Sequence, residues 1–127
     1  MSKEIAILLP YKEKFTSSQA GAASIWVKDY LKLSKLKENT IVYGNLGKMY
    51  KPITNNFKNI VLHNLFIKKN FKYTKRFYDF CIAKKHRIIE IHNRPESLNF
   101  FFDKKNKNNF KLLFIFHNNP LELRGSK

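Results

Sequence analysis

Short apolar runs recur along this chain, and longer segments with a helical repeat of apolar residues separate them. The runs are residues 5–9, 40–43, 59–62, 87–91 and 112–116. Parallel strands that are buried on both faces are nearly continuous in apolar residues, and their alternation with helices is typical of βαβ units. The sequence therefore predicts an α/β fold with a mostly parallel sheet and flanking helices.

The first of the intervening segments predicts a helix over residues 20–36. Its apolar residues repeat with helical spacing, and lysines occupy the opposite side. The predicted inward stripe is Ala22, Ile25, Trp26, Tyr30 and Leu33, and the predicted outward residues are Lys28, Lys32 and Lys35.

Two further helices are predicted. The second covers residues 70–85, and its inward face holds Tyr73, Phe77, Phe80 and Cys81. Pro95 begins a short third helix that ends near residue 102, because proline suits the first helical turn and Glu96 complements the positive helix start. Residues 103–109 are predicted to form a solvated turn, and residues 44–58 a loop.

The chain is long enough for one domain with a core of its own. It has 127 residues, of which 43% are hydrophobic, and its 12 Phe and 6 Tyr argue against a disordered basic tail. A single cysteine, Cys81, excludes an internal disulfide and favours a reducing compartment. The run at residues 5–9 is too short for a signal peptide or a membrane span, so we predict a cytoplasmic location.

The formal net charge of +16 favours negatively charged partners. Nucleic acid is one such partner, and an anionic membrane surface or a phosphorylated substrate is another. The lysines are spread over predicted outward helix faces and loops, and the sequence has no RNP-like, zinc-finger or basic-zipper motif. The pattern therefore disfavours nucleic acid, while the charge alone leaves the other partners open.

A four-residue signature follows two of the predicted strands. Residues 92–95 are His-Asn-Arg-Pro and residues 117–120 are His-Asn-Asn-Pro. In an open α/β sheet, ligands bind outside the carboxyl ends of the strands, so the two His-Asn pairs predict a polar binding rim there. Two histidines with no Cys, Asp or Glu at ligand spacing argue against a metal site.

Other polar residues leave more than one interpretation open. Gly21 lies in a small-residue loop after the first strand, where it serves either a tight turn or the approach of a ligand to the helix start. Glu90 is a charged residue inside a predicted strand, and three interpretations are open. It faces an edge or cleft, pairs with a basic neighbour such as Arg87, or acts as a buried catalytic acid. His63 extends the rim or has no role in it, and His86 satisfies the last carbonyls of a helix.

With residues 92–96 (His-Asn-Arg-Pro-Glu) and 116–127 (Phe-His-Asn-Asn-Pro-Leu-Glu-Leu-Arg-Gly-Ser-Lys) in view, the chain resembles the N-terminal domain of a family 4 glycosyltransferase of the GT-B fold. The resemblance covers nearly the whole chain. It implies a Rossmann-like domain over residues 1–127, an incomplete N-terminal half that holds the saccharide acceptor. The C-terminal domain, which binds the nucleotide-sugar donor, would then be absent from this chain.

The resemblance also implies roles for individual residues. His117 matches a strand-end histidine that contacts the transferred sugar, and Asn119 stands where relatives often carry an acidic residue. The donor and phosphate side would comprise Gly21, Asn118, Arg124, Gly125, Ser126 and Lys127, and the acceptor side His92, Asn93, Arg94 and Glu96. The resemblance implies no metal and no other cofactor, and the nucleotide-sugar would be a co-substrate.

The function implied by the resemblance is transfer of a hexosyl group from a nucleotide-sugar to a polysaccharide or lipid-linked saccharide, as in envelope polysaccharide or lipopolysaccharide synthesis. The enzyme would be cytoplasmic, with peripheral contact at the anionic inner membrane face. Without the donor-binding domain the chain is expected to be inactive, because nothing would stabilise the departing diphosphate. The alternatives are a basic nucleic-acid-binding module and an inactive truncated product.

Overall fold

The computed structural model describes residues 3–11, 13, 15–16, 21–46, 52, 56–62, 69–108 and 110–117. Within these residues the chain forms a five-stranded sheet, three α-helices and one short 3₁₀ helix at Lys37–Asn39. The strands are β1 (Ile5–Leu8), β2 (Thr40–Gly44), β3 (Phe57–Asn59), β4 (Ile88–His92) and β5 (Lys111–Ile115). The helices are α1 (Ala22–Leu33), α2 (Lys69–Lys84) and α3 (Pro95–Asn108).

The sheet has the strand order β3-β2-β1-β4-β5, and every neighbouring pair is parallel. The predicted α/β class is therefore confirmed, and the fold is Rossmann-like. The chain runs from the central β1 outward to β3, then returns through α2 to β4 on the other side of β1. This reversal makes the carboxyl ends of β1 and β4 the topological switch point, where open α/β sheets bind ligands.

The helices cover the two faces of the sheet unequally. On one face, α1 packs Ala23, Val27 and Leu31 against β1 and β2. On the other face, α2 and α3 contribute Tyr73, Phe77, Cys81 and Phe101 to a larger core with Ile89 and Ile91 of β4. Because side chains alternate across a strand, Glu90 and His92 lie on the α1 face.

The predicted inward stripe of α1 is wrong. The helix buries Ala23, Ser24, Val27 and Leu31, whereas Leu33 is 84% exposed and Trp26 is 37% exposed. Both stripes have helical spacing, so the repeat alone does not choose between them. The small and β-branched residues Ala23 and Val27 let the helix lie close to the sheet, and this places Trp26 at its flank.

The other predicted elements are close to those observed. Helix α2 buries Tyr73, Phe77 and Cys81, as predicted. Helix α3 does begin at Pro95, but it continues to Asn108, so the predicted turn over residues 103–109 is wrong. Strand β3 begins two residues before the predicted 59–62, because residues 57–59 pair with residues 42–44 of β2. None of the described helices has the length and apolar composition needed to cross a lipid bilayer.

Candidate functional site

The parallel register brings the two strand-end signatures together. In the sheet, His92 of β4 lies opposite Ile115 of β5, so His117 follows two residues beyond the same edge. The backbone N–H of Asn93 donates to the carbonyl of Ile115 at 3.0 Å, and the N–H of His117 donates to Oδ1 of Asn93 at 2.7 Å. Asn93 has a φ of 58°, a left-handed conformation that asparagine tolerates better than most residues. Asn93 thus joins the two strand ends.

A chain of side-chain hydrogen bonds runs along this edge from Glu90 to His117. Oε2 of Glu90 lies 2.9 Å from Nε2 of His92, and Nδ1 of His92 lies 2.7 Å from Nε2 of His117. Glu90 is 6% exposed and His92 is 0% exposed, whereas His117 is partly exposed. Glu90 therefore pairs with a histidine two residues away and not with Arg87, and Glu90 and His92 are both buried.

The two imidazoles are joined edge to edge. Their planes differ by 11° and their centroids lie 5.0 Å apart, with the bonded nitrogens between the centroids. The hydrogen bond therefore runs close to the ring planes, along the lone-pair direction. Both nitrogens of His92 are engaged, and among the described residues no hydrogen bond reaches Nδ1 of His117.

Trp26 of α1 forms a wall beside both histidines. Its ring meets His92 edge-on with centroids 5.3 Å apart, and it meets His117 in the same manner at 6.1 Å. Tyr30, one turn further along α1, stacks on Trp26 at 5.4 Å with an interplanar angle of 8°. A cleft of about 470 Å³ runs along this flank and is lined by Trp26, Asp29, Tyr30, Leu33 and Ser34. Trp26 thus contacts both histidines and also lines the cleft, whose lining residues, within the described part of the chain, include neither histidine.

The surroundings of His117 favour its neutral form. Burial lowers the pKa of His117 from its ordinary value of 6.5, the neighbouring His92 lowers it further, and the Glu90 carboxylate acts in the opposite direction. The imidazole of His117 is therefore unprotonated at neutral pH and has a lone pair available.

The carboxylate of Glu13 lies beside the start of α1. Gly21 is the N-terminal cap of the helix, and a Cβ placed on it would lie 2.8 Å from Oε1 of Glu13. The other carboxylate oxygen of Glu13 accepts a hydrogen bond of 2.7 Å from Ser24 in the first turn. Negative charge is favourable at a helix start. A donor phosphate at Gly21 would have to displace the Glu13 side chain, so its role in phosphate binding remains a prediction.

The remaining predicted site residues fall into two groups. Arg94 precedes α3, and its carbonyl accepts from Ser97 and Leu98, while its guanidinium donates to the Asn93 carbonyl at 3.1 Å. Glu96 lies in the first turn of α3 and is exposed, so its placement at the positive helix start is confirmed. Asn118, Arg124, Gly125, Ser126 and Lys127 lie outside the described residues, as does His63.

At the amino edge of the sheet, His86 has a different environment. Its Nε2 lies 2.7 Å from the hydroxyl of Tyr43, and its Nδ1 lies 2.6 Å from the carbonyl of Lys3. The side chain of His86 thus bonds to Tyr43 of β2 and to Lys3, which precedes β1, and not to the last carbonyls of α2. Its backbone N–H does donate to the carbonyl of Cys81 in the last turn of α2. A cavity of about 570 Å³ adjoins it, and its lining includes Lys3, Lys58, Lys84 and Lys85.

The pairing of Glu90 with His92 could have been predicted from the sequence. Residues two apart on a strand share a face, so a glutamate at position 90 and a histidine at position 92 predict a pair. Nothing in the sequence placed Trp26 beside them, because that contact depends on how α1 is rotated. Among the described residues, no group of three or more His, Cys, Asp or Glu side chains is arranged to hold a metal ion.

Comparison with known proteins gave no relative: no family model, curated protein or solved structure matches this chain.

Proposed function

We propose that this chain is the acceptor-side domain of a glycosyltransferase, holding a saccharide that receives a hexosyl group from a nucleotide-sugar. The observation that carries the proposal is the partly exposed His117, whose Nδ1 has no hydrogen bond from the described residues, beside the Trp26 wall at the carboxyl edge of a Rossmann-like sheet. The resemblance of the His-Asn signatures to family 4 glycosyltransferases supports it from the sequence.

The chemistry of the edge suits a sugar. A pyranose ring has an apolar face that packs on an aromatic side chain and hydroxyls that need hydrogen-bond partners around the rim. Trp26 and Tyr30 provide a continuous aromatic surface, and the cleft along it includes the carboxylate of Asp29. His117 adds a hydrogen-bonding nitrogen beside that surface. Hydroxyl-rich ligands therefore match both components of the site.

Saccharide binding is directly measurable because Trp26 is the only tryptophan in the chain. We expect hexose oligosaccharides to change its fluorescence in a saturable way, with a Kd on the order of millimolar or below. His117→Ala should weaken binding about tenfold, which corresponds to the loss of one hydrogen bond. Ile82→Ala, an exposed apolar residue on α2, is the control and should leave the affinity unchanged.

Two results would contradict the proposal. One is a lack of any saturable response to oligosaccharides while the protein remains folded. The other is equal affinity for His117→Ala and the unmodified chain. Hexosyl transfer is followed separately as release of nucleoside diphosphate from UDP-glucose and GDP-mannose, and turnover by this chain alone would contradict the expectation that another domain binds the donor.

A basic binding module is the second candidate, and the amino edge of the sheet favours it. Among the residues that the structure describes, four lysines and no acidic side chain line the cavity beside His86. This candidate predicts binding of random-sequence DNA that weakens steeply as salt rises. A salt titration with the Lys84→Gln and Lys85→Gln variants tests it, and tight binding that these variants reduce would favour the second candidate over the first.

A further inference from the structure

We propose that Glu90 and His92 are positioning residues that fix His117 as a hydrogen-bond acceptor, through its Nδ1 atom, for a hydroxyl group of the ligand. The hydroxyl-bearing class of ligand rests on the proposed function. The state of the three side chains does not, because it follows from their mutual hydrogen bonds.

The direction of each hydrogen bond follows from the carboxylate. An ionised Glu90 can only accept, so Nε2 of His92 must carry the hydrogen of the 2.9 Å bond. In the proposed state His92 is neutral, and a neutral imidazole has one N–H and one lone pair, so Nδ1 of His92 accepts. Nε2 of His117 must therefore donate across the 2.7 Å contact, and this leaves the lone pair of His117 on Nδ1.

The same arrangement makes Nδ1 a better hydrogen-bond acceptor than the nitrogen of an isolated imidazole. When a hydroxyl donates to Nδ1, positive charge builds up on the ring and spreads through His92 toward the Glu90 carboxylate. Hydrogen bonds to an ionised group are stronger than those between neutral groups, and bonds in a chain polarise one another. Water does not compete for the hydrogen bonds of His92, because His92 is 0% exposed and Trp26 covers it. The polarisation from Glu90 to His117 is therefore preserved.

The charged and titratable groups around His117 agree with this assignment. From β4 it faces Glu90 and His92, and from α1 it faces the uncharged ring of Trp26, with Asp29 and Tyr30 further along that helix. Burial lowers the pKa of His117. The nitrogen is therefore free of a proton at neutral pH, when it is needed as an acceptor.

Histidine side-chain nitrogen NMR on the full chain tests the assignment directly. The signal of His117 is identified by its loss in His117→Gln. In the unmodified chain at pH 7.5 we expect both His92 and His117 to carry hydrogen on Nε2 and none on Nδ1. A His117 with hydrogen on Nδ1 would overturn the proposal, and this measurement needs no variant of Glu90 to fold.

Glu90→Gln then tests whether the carboxylate is the cause. A glutamine can donate as well as accept, so the fixed direction should be lost and His117 should show a mixture of the two tautomers or the Nδ1–H form. Glu38→Gln is the charge-matched control, because Glu38 is exposed and lies at the other edge of the sheet. It should leave the His117 signals unchanged. Unchanged signals in Glu90→Gln would remove Glu90 from the proposed role.

The ligand part of the inference is tested by the affinity of the two variants for hexose oligosaccharides. Glu90→Gln should weaken binding about tenfold, and Glu38→Gln should not. If the tautomers are as expected but no oligosaccharide binds, the proposed function fails while the positioning role stands. If oligosaccharides bind equally to Glu90→Gln and to the unmodified chain, the positioning role fails while the proposed function stands.

Discussion

Two histidines of this protein, His86 and His117, lie at opposite edges of the sheet, and they differ in how many of their ring nitrogens are hydrogen-bonded among the described residues. At the amino edge, His86 donates from Nδ1 to the carbonyl of Lys3 and accepts at Nε2 from the hydroxyl of Tyr43, so both nitrogens are satisfied within the fold. At the carboxyl edge, the chain of hydrogen bonds that begins at Glu90 ends at His117, whose Nδ1 has no partner among the described residues.

The difference separates a structural histidine from one that is available to a ligand. His86 is 4% exposed, and burial lowers its pKa from the ordinary value of 6.5. Burial likewise raises the pKa of Tyr43, so its hydroxyl keeps its hydrogen and remains a donor. His117 has similar chemistry but lies beyond the carboxyl end of β5, beside the ring of Trp26. We therefore expect changes at the amino edge to affect stability, and changes at the carboxyl edge to affect binding.

The largest stability effect is expected from Tyr43→Phe. The change removes the donor to Nε2 of His86 and leaves a buried lone pair unsatisfied, which should lower the free energy of unfolding by about 2 kcal/mol. Urea denaturation measures it. Tyr30→Phe is the matched control on the partly exposed flank of α1 and should cost less than about 0.5 kcal/mol. Equal losses in the two variants would show that the hydrogen bond to His86 does not stabilise the fold.

A second effect concerns the dependence of stability on pH. Both His86 and His117 have a pKa below 6.5 in the fold, so the unfolded chain binds more protons as the pH falls below that value. The free energy of unfolding should therefore decrease as the pH falls from 6.5 toward 5. Each histidine contributes at most about 1.4 kcal/mol per pH unit.

The two histidines should contribute unequally to this slope. His86 is more deeply buried than His117, while each has one opposing effect on its pKa: the hydrogen bond to the Lys3 carbonyl for His86 and the Glu90 carboxylate for His117. Urea midpoints between pH 7.5 and 5 should thus lose more of their slope in His86→Gln than in His117→Gln. The reverse order would mean that the imidazole of His117, and not that of His86, is the more strongly desolvated.

The smallest effect is expected at two residues with left-handed backbone, one at each edge of the sheet. Lys85, with a φ of 60°, precedes His86, and Asn93, with a φ of 58°, follows His92. Lys85→Gly should relieve backbone strain and stabilise the fold by about 1 kcal/mol. Asn93→Gly should bring no gain, because it also loses the hydrogen bond to the backbone of His117.

The control for this pair is Lys85→Gln, which removes the charge but keeps the side chain and should not stabilise the protein. Urea denaturation of the three variants is sufficient. A gain in Asn93→Gly as large as that in Lys85→Gly would indicate that the Asn93 side chain does not hold the two strand ends together.

Much of the carboxyl edge was predictable from the sequence because it depends on local patterns. Apolar runs place His92 and His117 at strand ends, and parallel strands carry such ends to one edge of the sheet. Proline at position 95 predicts the start of α3, and this is confirmed. The length of α3 was not predictable in the same way, since its polar last turns resemble a loop in composition.

The sequence by itself determined the α/β class, the strands and the presence of two histidines at their carboxyl ends, because burial of parallel strands requires continuous apolar runs. Only the tertiary structure decided which stripe of α1 faces the sheet, and hence that Trp26 covers His92. It also decided the pairing of Glu90 with His92 and of His92 with His117. The reason is that these contacts join separate elements, and their geometry depends on packing between a helix and a sheet, which a local repeat does not specify.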